Sequence, residues 1–158
     1  MPLALEKEGL AERILDKLCL VSSLPDLTSW QELVNKLKKP EGVGDKKLVR
    51  IAIVGKYIEL SDSYISVVEA IHHAAAACSV DVEKVWILSD ELDNLADLKQ
   101  IFSGIDGIIV PGGFGDRGIE GKINAIKYAR ENKMPYLGLC LGMQCAVIEF
   151  IRNVCGLT

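Results

Sequence analysis

Gly138-Leu139-Cys140-Leu141-Gly142 is the stretch of this 158-residue sequence whose residue types and spacing most directly suggest chemistry. A cysteine framed as G-x-C-x-G, after an apolar run and before a helical pattern, has the form of a nucleophile elbow. That is a tight strand–turn–helix junction that presents one reactive side chain. The flanking glycines are needed because the turn is tight and the nucleophile's backbone strained, so neighbouring side chains would collide. A thiol there faces the N-terminus of the next helix, where the dipole and free N–H groups favour the thiolate. The N–H of Leu141, one residue on, is placed to donate to an oxyanion. The competing reading is a buried cysteine with glycines nearby by chance, and the strand–turn–helix context favours the nucleophile over it. Cys19, Cys78, Cys145 and Cys155 lack that context and read as core or surface thiols.

A second glycine-rich stretch, Val110-Pro111-Gly112-Gly113-Phe114-Gly115-Asp116-Arg117-Gly118, also follows a strand-like run. Gly113, Gly115 and Gly118 match the G-x-G-x-x-G dinucleotide fingerprint. That fingerprint also requires an acidic residue at the end of the next strand to hold a ribose. Here the next strand ends in Gly138-Leu139-Cys140, so nicotinamide binding is the lesser reading. In the favoured one, Gly112 and Gly113 bring bare backbone N–H groups beside Cys140, and both strand ends serve one acyl-transfer site. Such a site wants a general base. The sequence has two histidines, His72 and His73, adjacent in a helical stretch. Helical phase puts His73 opposite the buried face and His72 on its flank, along the side of the sheet rather than at its carboxyl edge. Both read as surface histidines, and the base is expected to be missing.

These residues need a scaffold, and the chain supplies alternating strands and helices from Leu48 onward. Strands are expected at Leu48–Gly55, Lys84–Leu88, Gly107–Gly112 and Met134–Leu139. Helical stripes follow each of them: Tyr64, Val67, Val68, Ile71 and Ala75; a short helix over Leu95–Phe102; Ile119, Ile123 and Ile126; then Met143, Ala146, Val147, Phe150 and Val154. Four such alternations predict an α/β fold with a doubly wound, flavodoxin-like, mostly parallel sheet, whose ligands bind outside the carboxyl ends of the strands. Four strands with an exposed last helix look like an unfinished, truncated domain, with an uncovered sheet edge and apolar helix face. Residues 1–47 differ. Leu10, Ile14 and Leu18 mark one helix, Ser22, Ser23 and Pro25 break it, and Ser29 with Glu32 forms a capping box for a second. Trp30, Leu33, Val34 and Leu37 stripe that second helix, and Lys38–Lys47 reads as an exposed linker. This is too little to be a domain alone.

Composition narrows the partners. Apolar residues make up 49% and charged residues 25%, the balance of a globular protein. The net charge of −4 gives no electrostatic reason to expect nucleic acid. No apolar run approaches the roughly 18 residues of a membrane span, and the N-terminus is not a signal peptide. Five cysteines without a C-x-x-C pair argue against a disulfide framework and against a zinc site, and fit a reducing cytoplasm.

The elbow Gly138–Gln144 and the preceding Pro111–Gly115 resemble the class I glutamine amidotransferases. Longer strings (Val54–Ala70, Val110–Ile126, Tyr128–Asn132, Leu137–Gln144 and Glu149–Leu157) narrow the resemblance to the CTP synthase family, and it runs along nearly the whole chain. It implies that residues 1–47 are the tail of a synthetase domain plus linker, and that 48–158 are a partial glutamine amidotransferase domain. It implies Cys140 as nucleophile attacking L-glutamine, and Gly113 and Leu141 as oxyanion donors. Gly112, Phe114, Gly142, Met143 and Gln144 would hold the substrate, and Arg117, Gly118 and Glu120 would lie in a lid segment where GTP activates. It further implies ammonia passed to a synthetase domain that uses ATP and Mg2+ to aminate UTP, in a homotetramer. The family's His-x-Glu pair has no counterpart before Thr158, so the chain alone is expected to be inactive. Alternatives are another class I amidotransferase, a related cysteine hydrolase, or a non-catalytic nucleotide-binding module.

Overall fold

Runs of β-branched and aliphatic residues form four strands: β1 (Leu48–Gly55), β2 (Asp81–Leu88), β3 (Gly107–Val110) and β4 (Tyr136–Gly138). The computed structural model describes residues 2–21, 23, 25–37, 46–58, 62–93 and 97–157. Every pairing is parallel, in the order β2-β1-β3-β4. This is the flavodoxin-like arrangement expected from the sequence, with its topological switch between β1 and β3. The helices are α1 (Pro2–Lys7), α2 (Leu10–Leu18), α3 (Thr28–Leu37), α4 (Ile65–Cys78), α5 (Leu98–Ile101), α6 (Ile119–Glu131) and α7 (Leu141–Asn153).

The pleat sorts the sheet into two unequal faces. Ala52, Ile108 and Tyr136 lie in register on one face, which carries the core under α6 and α7. Ile123, Ile126 and Ala129 of α6 close over Ala52, Val54, Ile108 and Val110, and Phe102 stacks on Tyr128 at 4.9 Å. Each fully buried Ile or Val here contributes about 1.5–3 kcal/mol. On the other face, Trp86, Ile53, Ile109 and Leu137 form a row. There α4 packs on β2, and Tyr64, just before α4, stacks on Trp86. Toward β4 the same face is open: Leu137 is 53% exposed, beside a hollow of about 190 Å³ lined by Ile51, Ile109 and Pro135.

Several boundaries differ from the sequence reading. β2 begins at Asp81, three residues before Lys84, because it pairs with β1 from Leu48 onward. β3 stops at Val110, and β4 is shortened to Tyr136–Gly138. α1 is an additional helix, divided from α2 at Gly9, which takes φ 71°. α3 starts at Thr28, whose N–H donates to Asp26 Oδ1 at 3.0 Å, so the Ser29–Glu32 box does not mark its start. Of the expected linker only Lys46 and Lys47 lie among the described residues, and Leu95 lies outside them.

The last helix carries its apolar stripe outward. Met143, Val147, Phe150 and Val154 are all about half exposed, whereas Gly142, Cys145 and Glu149 face inward. The buried Glu149 carboxylate anchors this orientation: Arg130 of α6 donates to both of its oxygens at 2.8–3.1 Å, and Asn153 adds a bond at 3.2 Å. Arg130→Ala strands a carboxylate that is 1% exposed, whereas Glu149→Ala leaves a guanidinium that water can reach. Arg130→Ala is therefore expected to lower the urea midpoint by roughly twice as much as Glu149→Ala. Equal losses would show that the pair does not anchor α7.

Candidate active site

The junction between β4 and α7 is built by two close backbone approaches. A Cβ on Gly138 would stand 2.6 Å from the Gly142 carbonyl carbon and the Met143 nitrogen, and one on Gly142 would collide with the Val110 carbonyl oxygen. Leu139 N–H donates to Val110 O at 2.9 Å, Gly142 N–H to Leu139 O at 3.0 Å, and the Tyr136 hydroxyl to Gly142 O at 2.7 Å. Held from both sides, Cys140 takes φ 51° and ψ −108°, outside the left-handed helical well. Holding a residue in such a region costs about 1–3 kcal/mol, and the surrounding contacts must impose it. The result is an exposed thiol at the N-terminus of a 13-residue helix that no side chain caps.

The Gly112–Gly113 segment runs alongside. The Cβ position of Gly112 is 3.4 Å from Cys140 Cβ and 4.0 Å from its Sγ, and that of Gly113 is 3.9 Å from Leu141 Cδ2. The structure thus gathers Gly112, Gly113, Cys140, Leu141 and Gly142 at one place, outside the carboxyl ends of β3 and β4. Phe114, Met143 and Gln144 present exposed side chains around it, Phe114 at 87%. The segment 117–120 is arranged differently. Arg117 is 3.4 Å from Asp90 and donates to Lys56 O, Glu120 pairs with Arg152, and Gly118 is buried against Ser89 and Asp90. Arg117 and Gly118 thus meet at Asp90, while Glu120 turns to α7. The G-x-G-x-x-G match leads into α6, but Asp93 Oδ1 already accepts from Gly121 N–H in its first turn, where a phosphate would have to sit.

Neither histidine reaches the thiol. His72 lies 3.1 Å from Lys84 of β2 and 3.6 Å from Glu69, and His73 is exposed. β2 and β4 are opposite edges of the sheet, three strand spacings or about 14 Å apart.

Two lysines escaped the sequence reading. Lys56 Nζ donates to Phe114 O at 2.6 Å, and Lys122 Nζ is 3.4 Å from the Cβ position of Gly113. Lys122 is fully buried, and its Nζ is the one buried side-chain nitrogen or oxygen without a hydrogen-bond partner among the described residues. A signal was present: Lys122 is three residues beyond Ile119 and four before Ile126, on the apolar face of α6. Beneath the elbow, burial pushes the Tyr136 hydroxyl and the Cys145 thiol upward, with Lys122 acting against it at Cys145.

The family model for class-I glutamine amidotransferases matches residues 59–157. The chain belongs to the class I glutamine amidotransferase family. As an amidotransferase chain it is 52% identical over 157 residues to a CTP synthase of Ruminiclostridium cellulolyticum, and 52% identical over 162 residues to one of Methanocaldococcus jannaschii. Each alignment covers 99% of this chain but only 28% and 29% of the relative, so the chain spans under a third of the relatives' length. Among solved structures it resembles the Trypanosoma brucei CTPS glutaminase domain with bound acivicin. The TM-score is 0.64 at 47% identity, covering 68% of this chain and 42% of that one.

Burial pushes the Lys122 ammonium below its usual value near 10.5; Lys56 acts in the same direction, Cys145 and Asp90 against it. Below the folded value both states hold the proton, and the buried charge weakens the fold in full. Between the folded value and 10.5 the unfolded amidotransferase chain binds more protons, so stability rises with pH across that window. Lys122→Met is expected to raise the urea midpoint near neutral pH and to flatten that alkaline rise. An unchanged pH slope in the variant would contradict the assignment.

Proposed function

We propose that this chain carries the nucleophile and oxyanion side of a glutaminase, within a protein that uses the released ammonia to aminate UTP to CTP. The observation that carries this reading is Cys140, exposed and strained at an uncapped helix N-terminus beside Gly112. In the proposed reaction the Cys140 thiolate adds to the side-chain amide carbon of L-glutamine, and the carbonyl π pair moves onto oxygen. The N–H groups of Gly113 and Leu141 receive that oxyanion. Collapse expels the nitrogen as ammonia once it is protonated, leaving a γ-glutamyl thioester, which water hydrolyses to glutamate and the free thiol. Phe114, Gly142, Met143 and Gln144 are proposed to hold the substrate. With both histidines far from the thiol, the proton-transferring group is proposed to come from outside this chain's residues.

The similarity to CTP synthases over residues 1–47 as well as the amidotransferase region favours this member of the family over another amidotransferase or a cysteine hydrolase. On this reading residues 1–47 are the tail of the synthetase domain and linker, and 48–158 part of the amidotransferase domain. ATP and Mg2+ would serve that synthetase domain by activating UTP, and no residue of this chain is assigned to them. GTP activation through Arg117, Gly118 and Glu120 rests on the family resemblance, because Arg117 and Glu120 are already ion-paired. A homotetramer and a cytoplasmic setting belong to the same reading. Among the described residues no helix is long and apolar enough to cross a membrane.

The test is labelling of the chain with a glutamine-shaped diazo-ketone, the modified residue being located by mass spectrometry. Selective modification of Cys140, competed by L-glutamine, is expected; modification spread over all five cysteines would refute the reading. In the full-length protein, Cys140→Ala is expected to cut glutamine-dependent CTP formation by at least ~10³-fold and to spare formation from free ammonia.

A further inference from the structure

The underside of the Gly112–Gly115 loop faces two buried lysines, and only one of them has a partner among the described residues. Lys56 is satisfied by the carbonyl of Phe114. Lys122 Nζ, with three donors, lies against Gly113 with none used. Its charged neighbours offer little: Asp90 is engaged by Arg117 and Ser89, and Cys145 is a buried thiol and a weak acceptor. No acceptor among the described residues bonds this nitrogen as the chain stands, and the backbone beside it is that of Gly113.

The geometry of the loop indicates an acceptor for it. The side-chain direction of Gly112 points at Cys140, whereas that of Gly113 points at Lys122, so thiol and ammonium flank the same stretch from different sides. The carbonyl of Gly112 and the N–H of Gly113 belong to one planar trans peptide, whose two groups point in opposite directions. An N–H turned toward the thiol leaves the carbonyl turned away from it, toward the lysine side.

We propose that Lys122 is a positioning residue for the oxyanion hole: with substrate bound, its ammonium donates to the Gly112 carbonyl and so holds the Gly113 N–H toward Cys140. This rests on the glutaminase reading above. It assigns a reason for keeping an ammonium that burial disfavours. The buried charge weakens the fold, and the bond it makes orders a peptide that would otherwise rotate freely between glycines. Lys56 already does the same for the next carbonyl but one along the loop.

Two alkylating probes separate positioning from mere structure. A glutamine-shaped chloroketone reacts by addition of the thiolate to its ketone, giving an anionic hemithioketal before chloride leaves and the thioether forms. Iodoacetamide is displaced directly at carbon, with no oxyanion. With the purified full chain, Lys122→Met is expected to slow chloroketone labelling of Cys140 about tenfold, while iodoacetamide labelling stays within about twofold of wild type. Lys122→Gln, which keeps an N–H donor, is expected to recover part of the chloroketone rate and serves in place of Lys122→Met if that variant fails to fold. Equal slowing with both probes, or no slowing with either, would overturn the proposal. If the wild-type chain itself shows no preference of the chloroketone for Cys140, the glutaminase reading fails first and takes this inference with it.

Discussion

The contact of Gly142 with the carbonyl of Val110 is the constraint on which the site depends. It lets the first turn of α7 rest directly on the end of β3, backbone against backbone, with no side chain between. From that contact follow the tight turn at Gly138, the positive φ of Cys140 and the position of the thiol next to Gly112. Any Cβ at residue 142 would lift the helix and release the strain together with the geometry it enforces. The Arg130–Glu149 pair works at the other end of the same helix, so α7 is pinned at its first turn by close packing and near its last turn by charge.

The two faces of the sheet show where cohesion is concentrated. Under α6 and α7, packing is almost wholly apolar, and the buried charged groups among the described residues are Lys122, Glu149 and, just past the end of β1, Lys56. On the opposite face, cover ends with α4 near β2, and apolar side chains of β3 and β4 lie open. The exposed stripe of α7 is a second apolar surface, on the other side of the sheet. An α/β sheet of this kind normally buries both faces. The site therefore sits on the well-packed half of an unevenly covered sheet.

Much of this was legible in the sequence, and what was not has identifiable causes. Strand–helix alternation was plain because buried parallel strands are apolar runs and the helices between them are periodic. The elbow was plain because its steric demand leaves only glycine at 138 and 142. The inward face of α7 was not, since Gly142, Cys145 and Glu149 look less apolar than the stripe that faces outward. A buried carboxylate with a partner nineteen residues away cannot be told from a surface glutamate by pattern alone. Lys122 was passed over although its spacing from Ile119 and Ile126 puts it on the apolar face of α6. The placing of Arg117, Gly118 and Glu120 in a lid segment came from resemblance alone, and the ion pairs of Arg117 with Asp90 and of Glu120 with Arg152 depend on tertiary contacts that local spacing does not encode.

The strand order gives the seat of α7 a particular support. β3 is paired on both flanks, with β1 on one side and β4 on the other. Val110, on which the first turn of α7 settles, is therefore held by the middle of the sheet rather than by an edge. The posture of the thiol is in this sense borrowed from a strand that does not carry it: displacing either neighbour of β3 would move the surface under Gly142 and with it the cysteine.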